Sequence, residues 1–581
     1  MHATGGSFTF LLAILVPLGA LPAQEIKVET QRLLPPEPGM QYTISPKGLH
    51  VAGVVLRGSR QVLVHDGVDG PRFDQVLNLS NQNGAKVAWS DDGARHAYHG
   101  KLGQEYVIVV DGKEVSRGAW SAELQGQGRT PVHQLGFSPG GKHWYAVIET
   151  QTPGRQNYQM LLDGMAGPLS QQVFSPLFSP DGEHHTYIQK IDPGTTPQVR
   201  YVLIVDAKAA PYLAGDMQWT SDSKHLLTKR PVPGTGNEEV LADGQPLMRV
   251  PGGIELTMAP VGPGMLGRVW APTQGGARVS YLLVGNRRAA GSECSSAAGL
   301  DAVYLSADAK HFAARCAMTF MFVDGKKGQE YPEGISALVW TSDGRPVYYG
   351  RTNQRAFMVI GEQESDGYGM IQDVTAVTRE EKRMATGFIP AVVRGTHVAY
   401  IARTNAGDGN TTVVVVDGKA IPAVAASEVR LSPDGSRYAF LSGRPSQFVT
   451  VDGTAYDKVA IEPSIATVGH QGMIKWSPDS KHVAWITAAP NTGVMLDGKL
   501  LTTPGMTRFA HFTATGRLVY LARGQGAEHQ IYVDGKRVLT LPQNLPLEND
   551  ADIYWDFPTD GSIRFVAQDN EGMKRFRIMP D

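Results

Sequence analysis

The sequence is short of the features that announce most functions. Two cysteines occur in 581 residues, Cys294 and Cys316, which excludes a disulfide-dense scaffold and a multi-cysteine metal site. Lys+Arg (54) and Asp+Glu (56) nearly cancel. No long run of one sign supplies the basic stripe of a nucleic-acid binder, so that partner class is excluded. No stretch reaches the roughly eighteen consecutive apolar residues of a spanning helix, so the mature chain is not expected to span a membrane. A Gly-x-Ser-x-Gly elbow, a His-Glu-x-x-His pair and a phosphate-binding loop are all missing. The acidic loops 66–74 and 548–552 lack EF-hand spacing. Neither a metal nor a cofactor is expected.

What is present begins with turn residues. Gly (66) and Pro (37) are spread along the whole chain, which marks many turns rather than one disordered tail. Phe8–Leu18 is an apolar run of signal-peptide length, followed by small residues that suit cleavage after Ala23. We read 1–23 as a signal peptide and expect a periplasmic or extracellular protein. An oxidising compartment permits a bridge between Cys294 and Cys316. The sequence leaves bonded and free thiols both open, because it does not give their Cα separation.

One pattern recurs from end to end: an aromatic or apolar residue, Ser/Thr-x-Asp-Gly/Ser, a basic residue or His, then an apolar strand. It reads WSDDGARHAY at 89–98, FSPDGEHHTY at 178–187, LSPDGSRYAF at 431–440 and WSPDSKHVAW at 476–485. Counting degenerate copies at 260–270 and 393–401, the spacing from Gly48 to Gly561 averages about 43 residues, the length of one four-stranded propeller blade. Between successive copies lies a second pattern, a strand, Asp-Gly and another strand, as in VIVVDGKEV (107–115) and VVVVDGKAI (413–421). Asp-Gly suits a type I′ hairpin, which needs φ > 0 at both central residues. The Gly-x pairs Gly285-Asn286 and Gly361-Glu362 suit the related type II′ turn. The expected fold is therefore all-β, a β-propeller with about 12–13 four-stranded blades.

The paired turns resemble the WD40-like repeat of TolB-type β-propellers, over nearly the whole mature chain. The Lys-His variant with interleaved Val-Asp-Gly-Lys looks like repeat-only exported bacterial proteins, without the α/β domain that precedes the TolB blades. The terminal Trp-Asp of eukaryotic WD40 repeats is not matched. Thirteen blades exceed the usual four to eight of one ring. We expect two consecutive rings of six or seven blades, 24–300 and 301–581, cut at Gly291–Gly299. The strand-like segment 25–33 is expected to close the last blade of one of them.

In such a blade both short turns leave on one face, and the variable B–C and D–A connections leave on the other. Binding residues ride on variable loops held by a rigid scaffold, so the ligand-binding face is expected there. Strand B often ends in a basic residue, giving the series Arg57, Lys101, Lys190, Arg230, Arg351, Arg403, Arg444 and Arg523, with Asn353 and Asn405 after two of them. Guanidinium groups in a ring would suit carboxylate or sulfate ligands; alternatively they guard exposed strand ends. His50, His96, His143, His184, His225, His311, His397 and His482 are read as one repeat position after the first turn, carried apart by successive blades. The leading expectation is a non-catalytic scaffold that binds a protein, peptide or glycan. The alternative is a propeller hydrolase or lyase acting on polysaccharide in a central channel.

Overall fold

A computed structural model describes residues 26–579, apart from short connections and the longer stretches 192–199, 373–390, 457–473 and 542–554. The segment 1–23 expected to be a signal peptide, Asn405 and Arg444 lie outside the described residues. The described strands form antiparallel sheets of four strands, or of five where strand A is split in two. Thirteen such sheets follow one another along the chain. We number them 1 to 13, from sheet 1 at residues 42–73 to sheet 13 at 555–579. The chain is all-β with a β-propeller fold.

Local sequence sets each hairpin. In the strand C–D turns Asp111 and Gly112 have φ of 50° and 76°, and Asp417 and Gly418 have 48° and 79°, the two positive angles a type I′ turn requires. Sheet 4 breaks the rule by placing Ala207 at φ 63° after Asp206. In the A–B turns the Ser or Thr hydroxyl donates to the turn Asp, as in Ser90 to Asp92 (2.5 Å) and Ser432 to Asp434 (2.7 Å). The same oxygen accepts a strand-B N–H, as from Arg95 (2.9 Å). Hydrogen bonds from that hydroxyl, and then from the N–H two residues on, hold Asp181, Asp222, Asp308 and Asp479 below the usual carboxylate range. Gly182 closes one such turn because a Cβ there would lie 2.1 Å from the carbonyl of Pro139, in the preceding sheet's turn.

Sheets pack face to face. Sheet 1 meets sheet 2 through Leu63, Phe73 and Tyr98, and the contact passes on to sheets 3, 4 and 5. It continues from sheet 7 to sheet 13 in the same way. Fully buried Trp485, Tyr187 and Phe565 lie in these seams, each contributing roughly 1.5–3 kcal/mol by burial. Strand Lys27–Leu34 pairs antiparallel with Gly572–Met579, so it completes sheet 13. That sheet packs on sheet 1 through Leu33, Leu34 and Val566.

Sheet 1 therefore has a neighbour on each face. A first ring closing after sheet 6 would need one of those faces for sheet 6. The boundary expected at 300/301 also falls inside strand Leu300–Leu305. Across it, the Leu300 N–H donates to Ser280 Oγ of sheet 6 (2.6 Å). Cys294 pairs with Ser280 as an extension of sheet 6, while Cys316 ends strand B of sheet 7. Their disulfide, with Cα atoms 5.7 Å apart, thus joins neighbouring sheets rather than two strands of one repeat.

Candidate functional site

The two turns of each sheet are tied to each other. The residue at the entrance to strand B reaches the Asp of the C–D turn: His50 to Asp66 (2.7 Å), His184 to Asp206 (2.9 Å), His397 to Asp417 (2.7 Å). The other carboxylate oxygen accepts the next backbone N–H, as Asp66 does from Val51 (2.9 Å). Histidine holds this place in seven sheets and arginine in three, Arg95, Arg437 and Arg517. His96 is not a member of that series. Arg95 clamps Asp111 (2.8 Å), and His96, one residue on, turns inward and is buried. The turn face is thus consumed by its own architecture.

At the other end of the sheets the basic series divides. Lys101, Lys190, Arg351, Arg403 and Arg523 stand four residues beyond the strand-B partner of the last strand-C residue, for example Ala97 opposite Val110. Arg57 stands five beyond and Arg230 three beyond. Side chains alternate along a strand, so these two point to the opposite side of their sheets and the series cannot converge as one ring. Arg57 is also neutralised by Asp69 (3.0 Å) and Arg230 by Glu239 (2.6 Å). Arg403 donates to the Gln372 side chain once that amide is oriented by its hydrogen bonds. Asn353 has φ 52° in a tight B–C turn beside Gln354 at 61°, a backbone role that asparagine tolerates. Nε of Arg351 is buried with no hydrogen-bond partner among the described residues.

Sheet 3 carries an acid in the register of the five bases. Glu149 is four residues beyond Tyr145, the partner of Leu162, and its side chain is fully buried. Its Oε2 accepts from Arg129 Nη2 (2.7 Å) and His133 Nε2 (2.5 Å). Oε1 is buried without a hydrogen-bond partner among the described residues. Arg129 comes from the connection between sheets 2 and 3, which folds into a short helix, Ala122–Gly126, capped by Ser121. Trp120 anchors that connection by donating to the Arg129 carbonyl (3.0 Å) and lies under the Lys101 ammonium, 5.2 Å from its ring centre. Lys101 Nζ donates to Gln125 (3.1 Å). His99, buried beside this connection, bonds Thr130 through Nε2 (3.1 Å), and burial pulls its pKa down to about 4.

A carboxylate that fixes an imidazole, with that imidazole 29% exposed, gives His133 a set orientation and an accessible ring. Arg129, 35% exposed, adds a guanidinium on the same side. The site can donate to and accept from a polar ligand, and it can hold a proton. Counting from Asp163 would have exposed Glu149 in the sequence as the one acid in a basic register. The helix had only a Ser cap to announce it. Among the described residues, His50, His65 and Asp66 could offer three metal-ligand atoms within 4.8 Å. There, however, the guanidinium of Arg575 already sits on Asp66 (2.5 Å), where a cation would be repelled.

No family model matches the chain, and no curated protein matches it. Among solved structures it is similar to a GH74 xyloglucanase from Xanthomonas campestris, at 14% identity over 93% of this chain and 91% of that one, TM-score 0.25. The β-propeller domain of the Trilobed protease from Pyrococcus furiosus matches at 11% identity over 56% and 93%, TM-score 0.21. A eukaryotic initiation factor matches at 14% identity over 70% and 94%, TM-score 0.27. Likenesses at this level carry no argument about activity.

Proposed function

We propose that the chain is an exported, non-catalytic propeller scaffold that binds a protein, peptide or glycan on the face opposite its clamped turns. The resemblance of its repeats to TolB-type propellers and the leader at 1–23 support export and an envelope or extracellular setting. The observation that carries the reading is the asymmetry of the sheets. Ten of them bind their own turns together with His or Arg and Asp, whereas Arg129 and His133 lie part-exposed at the other end. Gln127 accepts from Arg129 (3.3 Å), and Gln125 of the same connection donates to Gln104 (2.6 Å), a donor and acceptor set that suits hydroxyl-, amide- or carboxylate-bearing ligands.

Pull-down from the native secretome, together with a glycan array, tests the reading. Wild type is expected to retain a ligand that Arg129→Ala with His133→Ala loses; because that pair of changes leaves Glu149 buried without a donor, the two proteins are compared at a temperature where both are fully folded. Equal retention by both proteins would remove the site from the proposal.

The Glu149–His133 pair favours a second reading, a hydrolase or lyase with His133 as the proton-transferring group. Incubation with polysaccharides would then release new reducing ends or unsaturated products, and His133→Ala would abolish release while ligand retention survives.

A further inference from the structure

In nine clamped sheets the residue before the turn aspartate is aliphatic, Val110, Leu162 and Val205 among them; in sheet 1 it is His65. His65 lies between two other imidazoles. Its ring centre is 4.0 Å from that of His96 in sheet 2, with planes 26° apart, and 5.5 Å from that of His50. Trp89 flanks both His65 and His96, at 5.6 and 5.8 Å. The Nε2 of His65 is buried with no hydrogen-bond partner among the described residues. An imidazole thus replaces an aliphatic side chain in a packed seam and gains no hydrogen bond at Nε2, so packing alone does not account for it.

The charges around the stack are already matched. Asp66 Oδ2 takes His50 Nδ1 and Arg575 Nη2. Asp111 lies 3.8 Å from His96 Nδ1, with its second oxygen held by Arg95. Arg575 belongs to sheet 13, on the strand that pairs with Lys27–Leu34, and also donates to the carbonyl of Leu49 (2.7 Å). The stack therefore stands where sheets 13, 1 and 2 meet, beside the pairing that joins the two ends of the series.

We propose that the stacked His65–His96 pair is a proton-operated joint, closed when its two imidazoles are neutral and loosened when they are protonated. Protonating His65 and His96 would place two like charges about one ring spacing apart in a seam with little water. The flanking carboxylates already serve arginines and have little capacity left to offset them. Burial lowers the pKa of His65, and burial followed by the charge of His65 lowers that of His96 to about 4. A histidine whose folded pKa is depressed binds its proton on opening. Closure is therefore complete above the unfolded value of about 6.5, and is lost as pH falls from there towards 4.

Hydrogen exchange at pH 7.5 and 5.0, corrected for intrinsic rates, tests this. Protection over 60–73 and 96–110 should fall at least about tenfold more than over 439–451, a sheet without histidine. His65→Val, the residue of the sister sheets, should cut that excess, leaving the part that the burial of His96 contributes by itself. An equal excess in His65→Val, or none in the wild type, overturns the proposal. If His65→Val fails to fold, His96→Leu, the residue type of Leu226 and Leu518, decides in the same way. Zinc that raises protection in wild type at pH 7.5 but not in His65→Val would reassign the stack to metal binding and also overturn it.

Discussion

The two ends of each sheet are built by different means. At the turn end one device is repeated: a hydroxyl-capped Asp turn, a His or Arg, and an Asp at φ near 48°, joined within the sheet and handed on to the next. Arg437 also donates to the carbonyl of Lys481, and the Asp434 N–H donates to Ser480 Oγ (3.0 Å). At the loop end nothing repeats. One connection folds into a helix, one seam is stapled by Cys294 and Cys316, and one register position holds Glu149 where five sheets hold a base. Repetition at one end leaves the other free to vary, because each sheet is already registered by its turns.

The largest expected effect comes from the clamp with the most partners. Asp66→Ala leaves His50, the Val51 N–H and Arg575 without their acceptor, and the side chain is only 12% exposed. The expected loss is about 3 kcal/mol, read as a lower urea midpoint and faster exchange over 51–65. Next is the staple. Cys294→Ser with Cys316→Ser opens a closure of 22 residues and should cost about 3 kcal/mol on the chain-entropy account, confined to sheets 6 and 7 by exchange.

Acid separates the ends further. Burial raises the pKa of Asp66, but hydrogen bonds from His50, Val51 and Arg575 outweigh it and bring the pKa to about 2. Its share of stability, roughly 2 kcal/mol, is present above pH 3.8 and lost as pH falls towards 2. An acid titration of Asp66→Asn should lack that step.

At the loop end Glu149→Gln should cost about 1–2 kcal/mol and abolish ligand retention, whereas Asp66→Ala should leave retention intact in the folded fraction. The smallest effect runs the other way. Ala207→Gly relieves a positive φ and should stabilise sheet 4 by about 0.5–1 kcal/mol, a small rise in Tm.

Much of this was legible in the sequence. The Ser-x-Asp-Gly and Asp-Gly turns announced the sheets because their chemistry is local. The His–Asp pairing was not legible as a pair, since its partners lie 13 to 22 residues apart and each belongs to a turn that makes sense alone. His96 was misassigned for a related reason: a one-residue offset leaves composition unchanged but sends the side chain to the opposite face. The basic series looked like a ring because spacing from the turn was read without register. Glu149 escaped because a single exception carries no periodicity. Partner choice for the strand before sheet 1 depends on contacts more than 500 residues apart, which no local pattern holds.

That strand has a consequence for manufacture. Lys27 is the register partner of Met579, so Lys27–Leu34 has no strand to pair with until a segment more than 500 residues further along has been made. Until then Lys27–Leu34 and Gly572–Met579 each present an unpaired edge, the geometry that invites intermolecular pairing. That unpaired interval is the chain's most vulnerable one. A circular permutant that joins the two neighbours covalently and opens a connection elsewhere should shorten that interval and raise soluble yield.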